Sequence, residues 1–504
     1  MTDDLEERYD AVAYPTHAQP ATHPDRLATV ATLMGMRPVP AGRCRVLELG
    51  CGDGGNLIPM ALALPGSEFV GVDIAGQPVA RGQEVISELG LGNVRLEQAD
   101  IRALGKSLGE FDYVIAHGVY SWVPPEVQDA LLAACGERLT PNGVAFVSYN
   151  ALPGGHIRQM VREMLLFHVR EVEEPAERVA EAKAFLDLLA HAPEFPGTPD
   201  AYRTLMGEEA RRINARTDAD FFHDELAAIN HPVAVTTFAT HAVRHGLQLL
   251  GEANYFEMDT ARFGEQVAAT LAGLEQRSFV LKEQYADFLK CRQFRQSLLC
   301  RSEVALDRTF HPDRVAGLWA SSDLAPGAEP DGAVRFSSPG YGSFATADPI
   351  AVAALRALHA VHPAALRFSS VLDAVMPATE ETSRFKVTRH LASVLQQSYG
   401  MGMIELHTRP RPVVLSPAER PVSSPLARLT IARGGEAVVN LRHEHVGLGD
   451  DGTRVLLSLL DGTRDREALV QEMRGRSGDV DEGSLAAAVE EGLRSLGRSG
   501  LLVE

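Results

Sequence analysis

The sequence predicts an α/β fold built on a mostly parallel, doubly wound sheet, extended by a helical insertion and smaller C-terminal units. Three observations predict it. Short β-branched runs alternate with longer amphipathic stretches over residues 43–150, the pattern of parallel strands joined by crossover helices. A glycine-rich turn, Val46-Leu47-Glu48-Leu49-Gly50-Cys51-Gly52-Asp53-Gly54-Gly55-Asn56, joins the first such run to the first helix. Two later strand-like runs, residues 247–255 and Phe294–Arg301, each follow a helix and are placed to close the sheet as an antiparallel edge pair.

In chain order, strands are expected at Arg45–Leu49, Glu68–Asp73, Val94–Gln98, 113–116 and 143–148. Runs this short and this apolar suit strands covered on both faces. Helices are expected near 54–63, 78–89 and 125–139. After Leu152-Pro153-Gly154-Gly155 the character changes, and residues 156–192 and 201–230 read as charged amphipathic helices. Residues 325–341, rich in Gly, Pro and Ser, read as a linker or exposed loop, and 348–406 and 426–504 each read as a winged-helix-like module. The expected organisation is 1–155 as cofactor-binding core with an N-terminal segment, 156–235 as helical insertion or cap and 236–305 as the segment completing the sheet. Residues 306–345 follow as linker, with 346–415 and 416–504 as two winged-helix-like domains.

A chain of 504 residues exceeds one ordinary core, and 45% apolar with 23% charged residues is ordinary for a globular protein. The 48 Lys and Arg against 67 Asp and Glu give a net charge of −19, which disfavours phosphate backbones and anionic lipid and welcomes a basic substrate. No apolar run is long enough for a membrane span, and residues 1–8 are acidic rather than signal-like, so a cytoplasmic location is expected. The cysteines, Cys44, Cys51, Cys135, Cys291 and Cys300, form no CxxC and argue against a disulfide framework or zinc site.

Gly50, Gly52 and Gly54 let the backbone turn tightly and approach a ligand that a Cβ would exclude. The helix N-terminus beyond them offers N–H groups to an anion, here a methionyl carboxylate. Asp73 closes the second strand, where a carboxylate accepts from two ribose hydroxyls. Asp100, after the third strand, is placed to accept from an adenine amino group, with Ile101 packing on the ring. Gly50, Gly52 and Gly55 also satisfy GxGxxG, so a dinucleotide competes, and a glycine turn without ligand is a third reading. Glu48 weighs against the dinucleotide, because a pyrophosphate would lie beside its carboxylate, whereas a sulfonium cofactor meets no such objection. The residues favour S-adenosylmethionine, held by Glu48, Gly50, Cys51, Gly52, Asn56, Asp73, Ile74, Asp100 and Ile101. His117 and Gly118 join them from the loop after the fourth strand, and Tyr14 is expected to close over the cofactor.

Further motifs follow in order: Tyr14-Pro15, His23-Pro24-Asp25-Arg26-Leu27, His117-Gly118-Val119-Tyr120-Ser121-Trp122-Val123-Pro124 and Val147-Ser148-Tyr149-Asn150-Ala151-Leu152-Pro153-Gly154. Phe222-His223-Asp224-Glu225, His245-Gly246-Leu247-Gln248 and Gln293-Phe294-Arg295-Gln296-Ser297-Leu298-Leu299 continue the series. With the glycine turn, they make residues 9 to about 305 resemble class I S-adenosylmethionine-dependent methyltransferases of bacteria that carry a methyltransferase regulatory domain. Among these are the rickettsial-type protein lysine methyltransferases that modify outer-membrane proteins. The resemblance implies a Rossmann-like class I methyltransferase fold with a seven-stranded sheet, and C-terminal modules that shape access for a polypeptide. It implies, by analogy, an amine of a protein or peptide as acceptor, a lysine side chain or terminus. A natural-product or ribosomal-peptide-tailoring methyltransferase and a cofactor-binding regulator without turnover are the alternatives.

Methyl transfer from a sulfonium is an in-line displacement, so the protein mainly has to hold a deprotonated nucleophile in line. The loop 117–123 lies at the carboxyl end of a parallel strand, where such folds form their crevice. His117, Tyr120 and Tyr149 are the candidate catalytic residues. Tyr120 and Trp122, as an aromatic wall for a cationic amine, with Asn150 and His223 are the candidate substrate contacts. The loop lacks the Asp/Asn-Pro-Pro-aromatic arrangement, which disfavours nucleobase and glutamine-amide acceptors. His241 and His245 share a helical face, but no HExxH surrounds them, and no metal is expected. Arg384, Lys386 and Arg389 are locally basic, yet the acidic chain weighs against nucleic acid and for a protein or peptide partner. The oligomeric state is left open.

Overall fold

The strands β1 (Arg45–Leu49), β2 (Glu68–Asp73), β3 (Val94–Gln98), β4 (Phe111–Ala116), β5 (Leu139–Asn150), β6 (Leu247–Glu252) and β7 (Phe294–Arg301) form one seven-stranded sheet in the order β3-β2-β1-β4-β5-β7-β6. The computed structural model that shows this describes residues 16–192, 197, 199–328, 332–338, 342–477 and 481–503. β1 to β5 run parallel, and β7 pairs antiparallel with both β5 and β6, as the two late strand-like runs had suggested. The order steps outward in opposite directions from β1 and β4, so their carboxyl ends flank the crevice where such sheets bind ligands.

Both faces of the sheet are covered. On one, Val46, Ile115, Phe146 and Leu298 pack with Leu27, Val30 and Ala31 of the helix Pro24–Leu33. On the other, Leu47, Val114 and Val147 pack with Leu131 of Pro125–Arg138 and Phe238 of Val235–Arg244. Two boundaries differ from the sequence reading for local reasons. Phe111 pairs with Leu139 before a register shift, so β4 and β5 begin earlier than 113 and 143. The first crossover helix starts at Leu57 rather than 54, because Gly54 at φ 77° keeps the chain out of helical geometry.

The helices Gly155–His168, Pro175–His191, Asp200–Asn214 and Asp218–Glu225 enclose a core of their own, built on Val161, Leu165, Leu186, Ile213 and Phe221. Residues 306–345, expected as linker, are instead structured. They carry the helix Pro312–Ala316, the strand β8 (Trp319–Ser321) and a three-stranded antiparallel sheet of β9 (Ala325–Ala328), β10 (Val334–Ser338) and β11 (Gly342–Thr346). The Gly, Pro and Ser content belongs to short strands and their turns, and Phe336 is the buried anchor that the composition hid. β8 is the central strand between β12 (Leu366–Arg367) and β13 (Glu405–His407), so it belongs to the unit that follows. In the last unit, β14 (Ala437–Val439) and β15 (His445–Gly447) form a hairpin beside the helix Pro425–Ala432, and Val438 shares a core with the helices Asp451–Leu459, Arg466–Ser477 and Glu482–Arg498.

Both C-terminal units grip the N-terminal segment. Asp25 accepts from Thr408 N at 2.9 Å and meets His407 Nδ1 at 3.3 Å, and Arg26 pairs with Glu405 at 3.0 Å. Tyr255 stacks on Tyr399 with ring centroids 5.1 Å apart. From the last unit, His445 Nε2 lies 3.2 Å from Ala18 O.

The edge pair is held by buried charge. Arg295 on β7, fully buried, meets Glu252 at 2.5 Å on β6 and Glu283 and Asp287 at 2.9 Å on the helix Phe279–Lys290. Removing the cation leaves three buried carboxylates with only Lys282 and Arg292 to meet them. Arg295→Met is therefore expected to lower unfolding free energy by about 3 kcal/mol or more, read as the shift of the urea midpoint. A change below about 1 kcal/mol would mean that the carboxylates find other partners.

Candidate functional site

At the carboxyl ends of β1, β2 and β4 lies a cleft roofed by residues 16–19. Its floor is the glycine turn. Gly50 and Gly52 have φ of 76° and 54°, and a Cβ would approach Val119 to 2.5 Å at the first and Thr16 to 2.4 Å at the second. Only glycine lets the turn pass that close to the roof. Thr16 Oγ1 is bound by Asp53 and accepts from Gly55 N at 3.0 Å, so roof and turn are one piece.

Three carboxylates line the cleft along the strand ends. Glu48, one residue before the end of β1, accepts from Asn56 Nδ2 at 2.7 Å through Oε1, while its buried Oε2 has no hydrogen-bond partner among the described residues. Burial pushes its carboxyl up to about 8, with the nearby Asp73 charge adding to the shift. Asp73 is oriented by backbone N–H groups, Gly52 N at 2.8 Å and Ala75 N at 2.9 Å, although burial still raises its pKa. Asp100 pairs with Arg102 at 2.6 Å, which holds it below the usual carboxylate range, and Ile101 lines the cleft beside it.

His117 opens the loop after β4. Burial pushes its imidazole down to about 4, so it is neutral at pH 7, and its buried Nδ1 has no partner among the described residues. Trp122, His223 and Asp224 complete that end of the cleft, the last two contributed by the helix Asp218–Glu225.

The donor set suits one cofactor better than the other. A dinucleotide would bring a pyrophosphate into a cleft of carboxylates, whereas a methionyl ammonium answers an unpartnered Glu48 oxygen. The comparisons with known proteins agree. Family models match residues 47–145 as a methyltransferase domain, 217–301 as a predicted methyltransferase regulatory domain and 419–501 as the C-terminal winged helix domain of PKMT. An uncharacterised protein of Rickettsia prowazekii is 36% identical over 242 residues, covering 48% of this chain and 96% of that relative. The chain belongs to the S-adenosylmethionine-dependent methyltransferases that carry this regulatory domain. A second uncharacterised protein of that organism is 28% identical over 495 residues, covering 96% of this chain and 88% of the relative. The solved structure of PKMT2 from Rickettsia typhi matches with a TM-score of 0.84 at 25% identity, covering 97% of this chain and 100% of that one. The same protein has been solved in complex with AdoHcy, with a TM-score of 0.85 at 24% identity. S-adenosylmethionine is the methyl donor of this methyltransferase.

Of the residues singled out in the sequence, Glu48, Gly50, Cys51, Gly52, Asn56, Asp73, Ile74, Asp100, Ile101, His117, Gly118, Trp122 and His223 line the cleft. Tyr14 lies outside the described residues. Three residues do not reach the cleft. Tyr120 turns into the core, with its hydroxyl 2.9 Å from His241 Nδ1 and its ring edge-on to Phe238 at 5.2 Å. The short 3-10 turn Tyr120–Trp122 sends Tyr120 inward and Trp122 to the cleft. Tyr149 points to the same layer, stacked on Phe238 at 4.2 Å with its hydroxyl 3.2 Å from Ser297 Oγ. Asn150 is buried too, donating from Nδ2 to Asn230 at 2.7 Å. Trp122 is not a bare aromatic wall, since the guanidinium groups of Arg158 and Arg162 lie 5.3 and 5.5 Å from its ring centroid.

Sequence reasoning missed Thr16, His17 and Gln19 of the roof and Asp224, although the quoted motifs at Tyr14-Pro15 and 222–225 lie beside or across them. It also missed that Asp129 joins His241 and His245, whose Nε2 atoms lie 3.2 and 2.9 Å from its Oδ1.

On this fit, Glu48 must ionise to meet the cofactor's ammonium group. Between pH 6 and about 8 the Kd for S-adenosylhomocysteine should fall by about tenfold per unit, then level off once the free carboxyl is ionised. Calorimetry across that range checks it, and the slope should vanish in Glu48→Gln; a Kd that ignores pH in the wild type would exclude the pairing. Asp73→Ala should weaken binding by at least about tenfold, because a charged hydrogen-bond acceptor is lost.

Proposed function

We propose that this methyltransferase N-methylates an amine of a protein or peptide, a lysine side chain or a chain terminus. The observation that most supports this reading is the far end of the cleft, where the neutral His117 stands with Trp122, His223 and Asp224. An ammonium group approaching there meets an uncharged imidazole that does not repel it, beside an Asp224 carboxylate whose charge is shared with Arg158 and Arg216. The family resemblance and the full-length similarity to PKMT2 point the same way.

Before the nitrogen can attack, an ammonium with a pKa near 10.4 must lose a proton. Partial burial in the mouth favours the neutral amine. An imidazole held near 4 is too weak a base to carry that proton away, so His117 acts by lining the mouth as a neutral group, and the proton leaves to water. The cofactor supplies an electrophilic methyl group, which the nitrogen lone pair takes up as the C–S bond breaks, leaving a methylated ammonium and a thioether. Arg158 and Arg216 hold Asp224, and Arg158 also lies over Trp122, so the helical insertion sets the width of the mouth.

Incubation with methyl-labelled S-adenosylmethionine and lysine-rich polypeptides should place label on amine nitrogens, located by mass spectrometry. Label appearing only on small metabolites would sink the proposal. His117→Ala should slow transfer on the order of 10²-fold while changing the S-adenosylhomocysteine Kd by less than about threefold. In both proteins the rate should rise with pH up to the acceptor's own pKa, since the neutral amine reacts.

A further inference from the structure

The side-chain amide of Asn56 is shared among three parts of the chain. Its Nδ2 donates to Glu48 Oε1 at 2.7 Å and to Thr22 Oγ1 at 3.1 Å. Its Oδ1 accepts from Gln19 N at 2.9 Å in the roof and lies 2.8 Å from His443 Nε2 in the last domain, 387 residues further along the chain. The Gln19 N–H can only donate and Glu48 Oε1 accepts, so the amide has one orientation, and His443 Nε2 must carry the hydrogen it shares.

His443 is an unusual residue to find there. It is 1% exposed, its Nδ1 has no hydrogen-bond partner among the described residues, and its backbone φ is 64°, a left-handed conformation that L side chains rarely adopt. The turn between β14 and β15 is built to hold it. Asn440 Oδ1 accepts from Arg442 N and Glu444 N at 2.9 Å each, Asn440 Nδ2 donates to Ser499 O at 2.8 Å, and Leu441 N donates to Gly500 O at 2.9 Å. Packing alone would be served by an apolar side chain on a relaxed turn. A dry, strained, half-satisfied histidine with its one N–H on the glycine turn is a polar device held in place by its surroundings.

We infer that His443 is a positioning residue of the cofactor site, locking Asn56 and through it Glu48 in the arrangement that receives the cofactor, so that the last domain completes this site. Burial keeps the imidazole neutral, which leaves it a single N–H, the one on Nε2. Donating that hydrogen polarises the Asn56 amide and strengthens its N–H bond to Glu48, favouring the carboxylate. The titratable groups that face Glu48 are Asp73 and the Cys51 thiol, and those that face His443 are His23 and His445. The inference rests on the cofactor and not on the identity of the methyl acceptor, so a failed acceptor assay leaves it standing.

The test is calorimetric titration of the full-length protein with S-adenosylhomocysteine from pH 6 to 9. His443→Ala should raise Kd about tenfold at pH 7 and move upward the pH at which affinity levels off, and His443→Gln, which keeps an N–H donor, should recover most of both changes. Combining His443→Ala with Asn56→Ala should weaken binding no more than Asn56→Ala alone, within about twofold. A merely structural role would move neither the pH profile nor this non-additivity. His443→Asn suits the left-handed backbone and is too short to reach Asn56, so it carries the same test where the alanine variant fails to fold. Unchanged Kd and pH profile, or losses that multiply in the double variant, would overturn the inference.

Discussion

Glu48 stands one residue before the end of an apolar strand, and that position carries its carboxyl into the middle of the protein with one oxygen satisfied by Asn56 and the other by none of the described residues. A buried acid in this state resists ionisation and is restrained only where a cation can meet it. Everything around it follows from that requirement. The turn that brings Asn56 back to Glu48 must pass Val119 and then the roof, which demands glycine at position 50 for the first and at 52 for the second. The roof must stay closed, which demands the contacts of Thr16 and Gln19 with the turn. The helix behind the roof must stay put, and for that Asp25 and Arg26 are tied to the β13 region.

The same logic of charge separates the two ends of the sheet. At the edge, Arg295 neutralises carboxylates that could not otherwise be buried, and the resulting network reaches Tyr149 through Ser297. Glu283 Oε1 and Arg292 Nε make no hydrogen bond there, but each faces an opposite charge, Lys282 at 3.2 Å and Asp287 at 2.8 Å, so the charges answer one another as a structural clamp. At the cleft, by contrast, Glu48 Oε2 and His117 Nδ1 are both buried with neither a hydrogen bond nor an ion pair among the described residues. The two regions share residue types, and it is the state of their polar atoms that tells a clamp from a binding site.

How much of this was legible depended on range. The parallel strands were legible because burial on both faces writes a continuous apolar run, and the residues of the glycine turn were legible because backbone approach selects glycine locally. Tyr120 and Tyr149 were misread because strand ends and short turns alternate inward and outward, and one residue of phase decides between core and cleft. The sheet of β9 to β11 was misread as linker because strands of four or five residues with Pro, Gly and Ser carry almost no periodicity. His443 carried no local signal at all, since its meaning lies in Asn56, which only the folded chain brings to it.

That last case bears on why a methyltransferase carries C-terminal units. The catalytic sheet is complete at β7, yet the roof of its cleft touches the last domain at Ala18 and, through Gln19 and Asn56, at His443. A cofactor entering or leaving must pass a roof whose hydrogen bonds are shared with the β14–β15 hairpin. Whatever shifts that hairpin therefore changes the strength of the Asn56 hold on Glu48, and by reciprocity the bound cofactor stabilises the docked hairpin. On that inference the tail reaches the cofactor site by two protein hydrogen bonds in series, His443 to Asn56 and Asn56 to Glu48.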